Sequence, residues 1–134
     1  MPPMADAVRE LPSEEKVREL TAKPDLTPEE ANRYGDLFFE AGKFPQAMMF
    51  YERSRDPERL ARVKRLAVEK GDAFLLHGVT RLVPDLVSPE EWKAAGDRAF
   101  QAGKFLFARD CYERAGDAER AQAAREAWLK IFAA

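Results

Sequence analysis

Cysteine, histidine and long apolar runs are all scarce in this sequence of 134 residues, which has one Cys, one His and a net charge of −2. A single cysteine excludes an internal disulfide and favours a reducing compartment, so we expect a cytoplasmic location. No apolar run approaches the roughly 20 residues that a membrane-spanning helix needs. We therefore predict no membrane span, and the N-terminal stretch MPPMADAVRE predicts no secretory signal.

Residues that carry catalysis or bind metals are equally sparse. His77 is the only histidine and lies in an apolar segment. The sequence therefore has too few histidines for a histidine-based metal site or a histidine-activated nucleophile. Cys111 is expected to pack as a small, buried apolar side chain. The glycines are isolated and form no phosphate-binding loop. We predict that the protein is not an enzyme and needs no cofactor or metal.

The sequence does contain an internal repeat. Residues 28–64 and 89–125 align without a gap at a shift of 61 positions and share 17 of 37 residues. Each copy opens with a hydroxyl residue, Pro and two Glu, which is typical of a capped helix start. Gly42 and Gly103 are predicted to end the first helix of each copy. A second helix follows after a very short turn, so the two helices must pack antiparallel.

Each copy also has a glycine inside its first helix, Gly35 in one and Gly96 in the other. Glycine in a helix interior costs about 1 kcal/mol relative to alanine. A mid-helix glycine at the same place in both copies predicts that the neighbouring helix approaches closely there.

These repeated residues resemble the tetratricopeptide repeat. The matching positions in the first copy are Ala31, Tyr34, Gly35, Phe38, Gly42, Phe44, Ala47, Tyr51 and Ser54. In the second copy they are Trp92, Ala95, Gly96, Ala99, Gly103, Phe105, Ala108, Tyr112 and Ala115. Tandem repeats of this family recur at about 34 residues, so the shift of 61 means that the intervening stretch is not a standard repeat.

The resemblance implies an all-α, right-handed solenoid of about three antiparallel helical hairpins plus a C-terminal capping helix. We expect an N-terminal tail with a short helix over residues 1–26 and a single repeat domain over 27–134. The domain would comprise repeat units 27–55 and 88–116, a spacer hairpin 56–84 and a capping helix 117–132. The second spacer helix, Ala73 to about Val83, is the most apolar segment and is expected to be buried in the middle of the stack.

The resemblance also implies a concave groove, lined by the first helices, that binds a peptide or protein partner. Carried over position by position, the groove offers Asn32, Arg33, Asp36, Phe39, Lys93, Asp97 and Phe100. Family members that clamp a C-terminal carboxylate use Lys, Arg and Asn in the groove. Asp36 and Asp97 occupy a clamp position here, so a basic or mixed ligand fits better. The alternative is that both aspartates are solvated or paired locally.

A basic stripe is the second candidate surface. Arg55, Arg59 and Arg62 are predicted to share one side of the third helix. The stripe could hold an acidic peptide, an acidic partner surface or phosphates. Acidic residues at i,i+4 spacing favour an ordinary solvated face. No aromatic stacking partners accompany the stripe, so nucleic acid is not the expected partner.

The predicted function is a non-catalytic protein–protein interaction module or adaptor. A rigid groove would lose little entropy on binding. One alternative is a homo-oligomeric structural or scaffold component, assembled through the repeat ends or through Trp128 and Phe132. A less favoured alternative is a nucleic-acid-binding helical repeat that uses the Arg55, Arg59 and Arg62 stripe.

Overall fold

The chain is all-helical over residues 11–133, the range that the computed structural model describes. This range has eight helices and no strand: α1 (Glu14–Ala22), α2 (Pro28–Glu40), α3 (Phe44–Ser54), α4 (Pro57–Lys70), α5 (Ala73–Leu82), α6 (Pro89–Gln101), α7 (Phe105–Ala115) and α8 (Ala118–Ile131). The all-α prediction is therefore confirmed. The tail predicted before α1 falls almost wholly outside the described residues, whereas the short helix predicted after it is present as α1.

Hydroxyl side chains set the starts of the first helix in each repeat copy. The oxygens of Thr27 and Ser88 accept the backbone N–H of Glu30 and Glu91, each at 3.1 Å. At Ser88 the Glu91 carboxylate also accepts the Ser88 backbone N–H at 3.0 Å, which completes a capping box. At Thr27 the hydroxyl instead bonds to the Glu30 carboxylate at 2.9 Å. The predicted capping box thus forms completely in the second copy.

Glycines follow the ends of α2 and α6, as the sequence predicts. Ala41 and Ala102 cap the two helices. Gly42 and Gly103 come next with φ of +77° and +76°, a backbone conformation in which a Cβ atom is strained. In both copies the chain then enters the next helix after one further residue.

The repeat extends over three helices. The bounds of α2, α3 and α4 recur, shifted by 61 positions, in α6, α7 and α8. Asp56 and Asp117 precede α4 and α8, and their carboxylates accept the backbone N–H of Arg59 and Arg120 at 3.2 and 3.0 Å. The C-terminal helix that the sequence predicts as a cap is therefore the counterpart of α4.

The chain divides into two compact units, Met1–Leu60 and Ala61–Ala134, and the boundary falls inside α4. In the first unit, α2 and α3 pack around Phe50, which is fully buried and stacks on Tyr34 and Phe38 at ring distances of 5.3 and 5.8 Å. The contacts between these helices are nested, since Phe39 meets Phe44 while Asp36 meets Tyr51. Nested contacts are those of an antiparallel hairpin.

In the second unit, α6, α7 and α8 pack in sequence around a core of mostly small residues. That core comprises Ala99, Ala108, Tyr112, Ala121 and Ala124, with Phe107 against it. In α5, Leu75, Leu76 and Val79 are buried, but Phe74 is 63% exposed. The expectation that this apolar helix is buried was therefore wrong at Phe74, whose side chain lies on the face opposite the buried Leu75, Leu76 and Val79.

The two mid-helix glycines accommodate aromatic rings. A Cβ atom built on Gly96 would lie 2.8 Å from the ring of Tyr112, and one built on Gly35 would clash in the same way with the ring of Tyr51. The predicted close approach is therefore confirmed, and the group that approaches is the tyrosine of the second helix in each copy.

Candidate partner-binding site

The predicted groove residues lie at equivalent positions on α2 and α6. Asn32, Asp36 and Phe39 of α2 correspond to Lys93, Asp97 and Phe100 of α6 at the same shift of 61 positions. Arg33, Lys93 and Phe100 are exposed, and the other four are partly buried. The Oδ1 atom of Asn32 is buried without a hydrogen-bond partner among the described residues.

Asp36 stands at the centre of a polar network in the first unit. The hydroxyl of Tyr51 donates to Oδ1 of Asp36 at 2.7 Å. Arg59 donates to the same carboxylate from Nε and Nη2, at 2.8 and 2.6 Å. Arg59 also pairs with Asp56 at 2.9 Å. These bonds from Asp36 and Asp56 raise the pKa of Arg59 further above its ordinary value, so its charge is fixed.

Asp97 has a related but looser arrangement in the second unit. The hydroxyl of Tyr112 donates to Oδ1 of Asp97 at 2.5 Å. Burial, followed by this bond to Asp97, raises the pKa of Tyr112 above its usual value, so Tyr112 keeps its proton at neutral pH. Arg120, the counterpart of Arg59, pairs with Asp117 at 2.8 Å.

Side chains from three helices surround a small open recess beside Asp97. The recess has a volume of about 250 Å³ and is lined by Phe100, Tyr112, Arg120 and Ala123. Phe100 packs edge-on against Phe105 at 5.1 Å, as Phe39 packs against Phe44 in the first unit. The sequence predicts Phe100 here, but it does not predict Tyr112 or Arg120. The internal repeat was the signal for both, because each has a counterpart in the other copy.

The predicted basic stripe does not occupy a single helix. Arg55 lies before α4, as the residue that caps the end of α3, with φ of +53°. The placement of all three arginines on one helix was therefore wrong for Arg55, because the helix begins only at Pro57. Arg59 is engaged by Asp36 and Asp56, and Arg62 is partly buried. The structure thus joins one stripe residue, Arg59, to one groove residue, Asp36.

The residues considered for catalysis are engaged in packing. Cys111 is fully buried, and burial raises the pKa of its thiol to about 12, which disfavours the reactive thiolate. The ring of His77 packs against that of Trp92 at 5.2 Å. Over residues 11–133, no group of three His, Cys, Asp or Glu side chains is placed to hold a metal ion. None of the helices in this range has both the length and the apolar character needed to cross a membrane.

Comparisons with protein-family models, with curated proteins and with solved structures found no match for this chain.

Proposed function

We propose that this chain is a non-catalytic protein–protein interaction module or adaptor. In this proposal its hairpins form a right-handed solenoid like that of tetratricopeptide repeats, and α2 and α6 line a groove for a peptide or protein partner. The proposed module acts in the cytoplasm and uses no cofactor. Its single cysteine, buried as a thiol, is compatible with a reducing compartment.

One observation carries the proposal: in both copies the same contacts hold one aspartate and one phenylalanine of the first helix. Each tyrosine hydroxyl of the second helix fixes an aspartate of the first helix, at 2.7 Å in one copy and 2.5 Å in the other. Each copy also holds a phenylalanine of the first helix edge-on, at 5.1 Å in both. Side chains that are already ordered lose little entropy when a partner binds, so such a surface suits recognition.

The proposed partner presents basic or mixed polar groups together with an apolar side chain. Asp97 supplies negative charge, Arg33 and Lys93 supply positive charge, and Phe100 supplies exposed apolar surface. Asp36 is paired locally with Arg59, which is the alternative that the sequence left open for it. A free C-terminal carboxylate is not the expected ligand, because an aspartate occupies the clamp position in both copies.

An affinity capture from the source lysate tests this proposal. A variant that combines Arg33→Ala, Lys93→Ala and Phe100→Ala removes exposed groove side chains and leaves the braced aspartates intact. The matched control combines Arg18→Ala, Arg98→Ala and Leu106→Ala, which are also exposed. The proposal predicts a partner that the wild type and the control retain and the groove variant loses. A partner retained equally by all three proteins would contradict it.

Self-association is the second candidate function, and one observation favours it. Leu129, Ile131 and Phe132 at the end of α8 are 47%, 58% and 70% exposed. Beside them, Trp128 and Ile131 border an open apolar recess of about 430 Å³ with residues at the start of α7. Exposed apolar patches of this kind often mark interfaces. A mass that rises with concentration in sedimentation, and does not rise in a Leu129→Ser/Phe132→Ser variant, would support a homo-oligomer.

A further inference from the structure

A second recess in the unit Ala61–Ala134 combines positive charge with an aromatic edge. It has a volume of about 340 Å³ and is lined by Phe74, His77, Thr80, Arg81 and Arg114. None of the predicted groove residues lines it. Phe74, His77 and Arg81 share one face of α5 through their i, i+3 and i+7 spacing, and Arg114 comes from α7.

Arg114 is held in place without a carboxylate. Its guanidinium lies over the ring of Trp92, 5.0 Å from the ring centre, and Trp92 also packs against His77. Within residues 11–133, no Asp or Glu oxygen lies within ion-pair distance of Arg114. Asp110 is one turn earlier on the same helix, but its carboxylate is 3.3 Å from Arg109. The positive charge of Arg114 is therefore positioned by an aromatic face and is not neutralised by a direct partner.

The pKa of His77 responds first to burial and then to the nearby charge of Arg114. Burial lowers the pKa of His77, and the charges of Arg114 and Arg81 lower it further. Asp110 opposes this shift but does not cancel it. An anion placed beside this imidazole would favour its protonated form and raise its pKa.

The remaining wall residues define what kind of anion fits. Phe74 is 63% exposed, so its ring is available to an apolar group of a ligand. The hydroxyl of Thr80 is already used, because it donates to the carbonyl oxygens of Leu76 and His77, each at 3.1 Å. The recess therefore offers guanidinium and imidazole donors next to an exposed aromatic ring.

We propose that this recess binds an acidic peptide segment of a partner protein, with a carboxylate beside Arg114 and a neighbouring apolar side chain against Phe74. This site is distinct from the groove on α2 and α6 and would give an adaptor a second point of attachment. Charge complementarity identifies the ligand, because Arg114 would repel a basic segment, whereas the groove offers the carboxylate of Asp97 to one.

Three capped peptides test the site by isothermal titration calorimetry. They are acetyl-EEFEE-amide, the neutral peptide acetyl-QQFQQ-amide, and acetyl-EEAEE-amide, which keeps the charge but lacks the aromatic side chain. We expect the first peptide to bind at least about tenfold more tightly than either control, a difference of about 1.4 kcal/mol per decade. The chain has a single histidine, so the imidazole proton signals report on His77 alone. Binding of the acidic peptide should raise the pKa of His77 in a proton NMR titration.

Two variants locate the binding. Arg114→Ala should weaken the acidic peptide about tenfold, whereas Arg98→Ala, an exposed arginine on α6, should change its affinity by less than about twofold. Phe74→Ser should abolish the preference for the phenylalanine peptide, and it changes a side chain that is largely outside the core. No binding of acetyl-EEFEE-amide at about 1 mM, an unchanged His77 titration, or equal loss in Arg98→Ala would each overturn the proposal. If Arg114→Ala does not fold, the Phe74→Ser result decides.

Discussion

Arg59 holds both carboxylate oxygens of Asp36, with Nη2 at 2.6 Å from Oδ2 and Nε at 2.8 Å from Oδ1. This bidentate pair links the start of α4 to α2 within the first unit. In the second copy Arg120 pairs with Asp117, as Arg59 does with Asp56, but in the described part of the chain it makes no hydrogen bond to Asp97. Asp36 is therefore more firmly fixed than Asp97, although the two residues occupy equivalent positions in the repeat.

The first prediction compares these two arginines. Arg59→Ala should lower the free energy of unfolding by about 1–2 kcal/mol, because Asp36 loses two charged donors while it remains partly buried. Arg120→Ala should cost clearly less, since its side chain is half-exposed and its ion pair is local. Urea denaturation of both variants measures the difference. Equal losses of unfolding free energy in the two variants would show that the bidentate pair of Arg59 with Asp36 does not contribute to stability.

Much of this fold could be predicted because its signals are local in the sequence. Ser88-Pro89-Glu90-Glu91 and Gly103 bound α6 correctly, since caps and left-handed glycines act on the backbone beside them. The glycine at position 96 also predicted a close approach. The sequence did not identify Tyr112 as the approaching group, because that requires the packing of one helix on another.

The candidate site was less predictable than the fold. The repeat located Asp36 and Asp97, but their partners Arg59, Tyr51 and Tyr112 come from other helices. The recess at His77 was missed for a similar reason. The i, i+3, i+7 spacing of Phe74, His77 and Arg81 was a usable signal, whereas the contribution of Arg114 depends on tertiary packing.

The second prediction concerns Arg55, a non-glycine residue with positive φ. Its repeat counterpart is Gly116, which has φ of +79°. Arg55→Gly should stabilise the protein by about 0.5–1 kcal/mol, because the left-handed conformation is strained for a residue with a Cβ atom. Gly116→Ala should instead destabilise the protein, because it places a Cβ atom in the same left-handed conformation. Thermal denaturation of both variants checks the prediction, and a destabilised Arg55→Gly would contradict it.

The third prediction concerns the contact between Gly96 and Tyr112. Gly96→Ala would normally favour a helix, but its Cβ atom would lie 2.8 Å from the buried ring. Displacing that ring should outweigh the gain, for a net loss of about 1–2 kcal/mol. Lys93→Ala on the exposed side of the same helix serves as the control and should change stability by less than about 0.5 kcal/mol. Chemical denaturation decides, and a stabilised Gly96→Ala would refute the close packing.

The fourth prediction is a pH dependence that arises at Glu91. Burial alone would raise the pKa of Glu91, but the Ser88 backbone N–H and Lys64, 2.9 Å away, outweigh burial and lower it. The folded state therefore binds the proton less tightly than the unfolded state. The stabilisation is present above the unfolded pKa and is lost as pH falls through the folded pKa.

Glu91→Gln removes this pH-dependent stabilisation, because glutamine does not titrate. Between about pH 5 and pH 3, the urea midpoint of the wild type should therefore fall more steeply than that of the variant. Glu90→Gln, an exposed neighbour, should behave as the wild type does. Parallel curves for the wild type and Glu91→Gln would argue against this role of Glu91.

Site-specific photocrosslinking tests whether a partner binds on the first helices of the two copies, α2 and α6. Benzoylphenylalanine would replace Phe100 on α6 or Leu106 on α7, two side chains of nearly equal exposure at 36% and 37%. We expect a crosslinked partner of defined mass from position 100 and none of that mass from position 106. The same adduct from both positions, or a crosslink to a second copy from position 106 alone, would contradict groove binding.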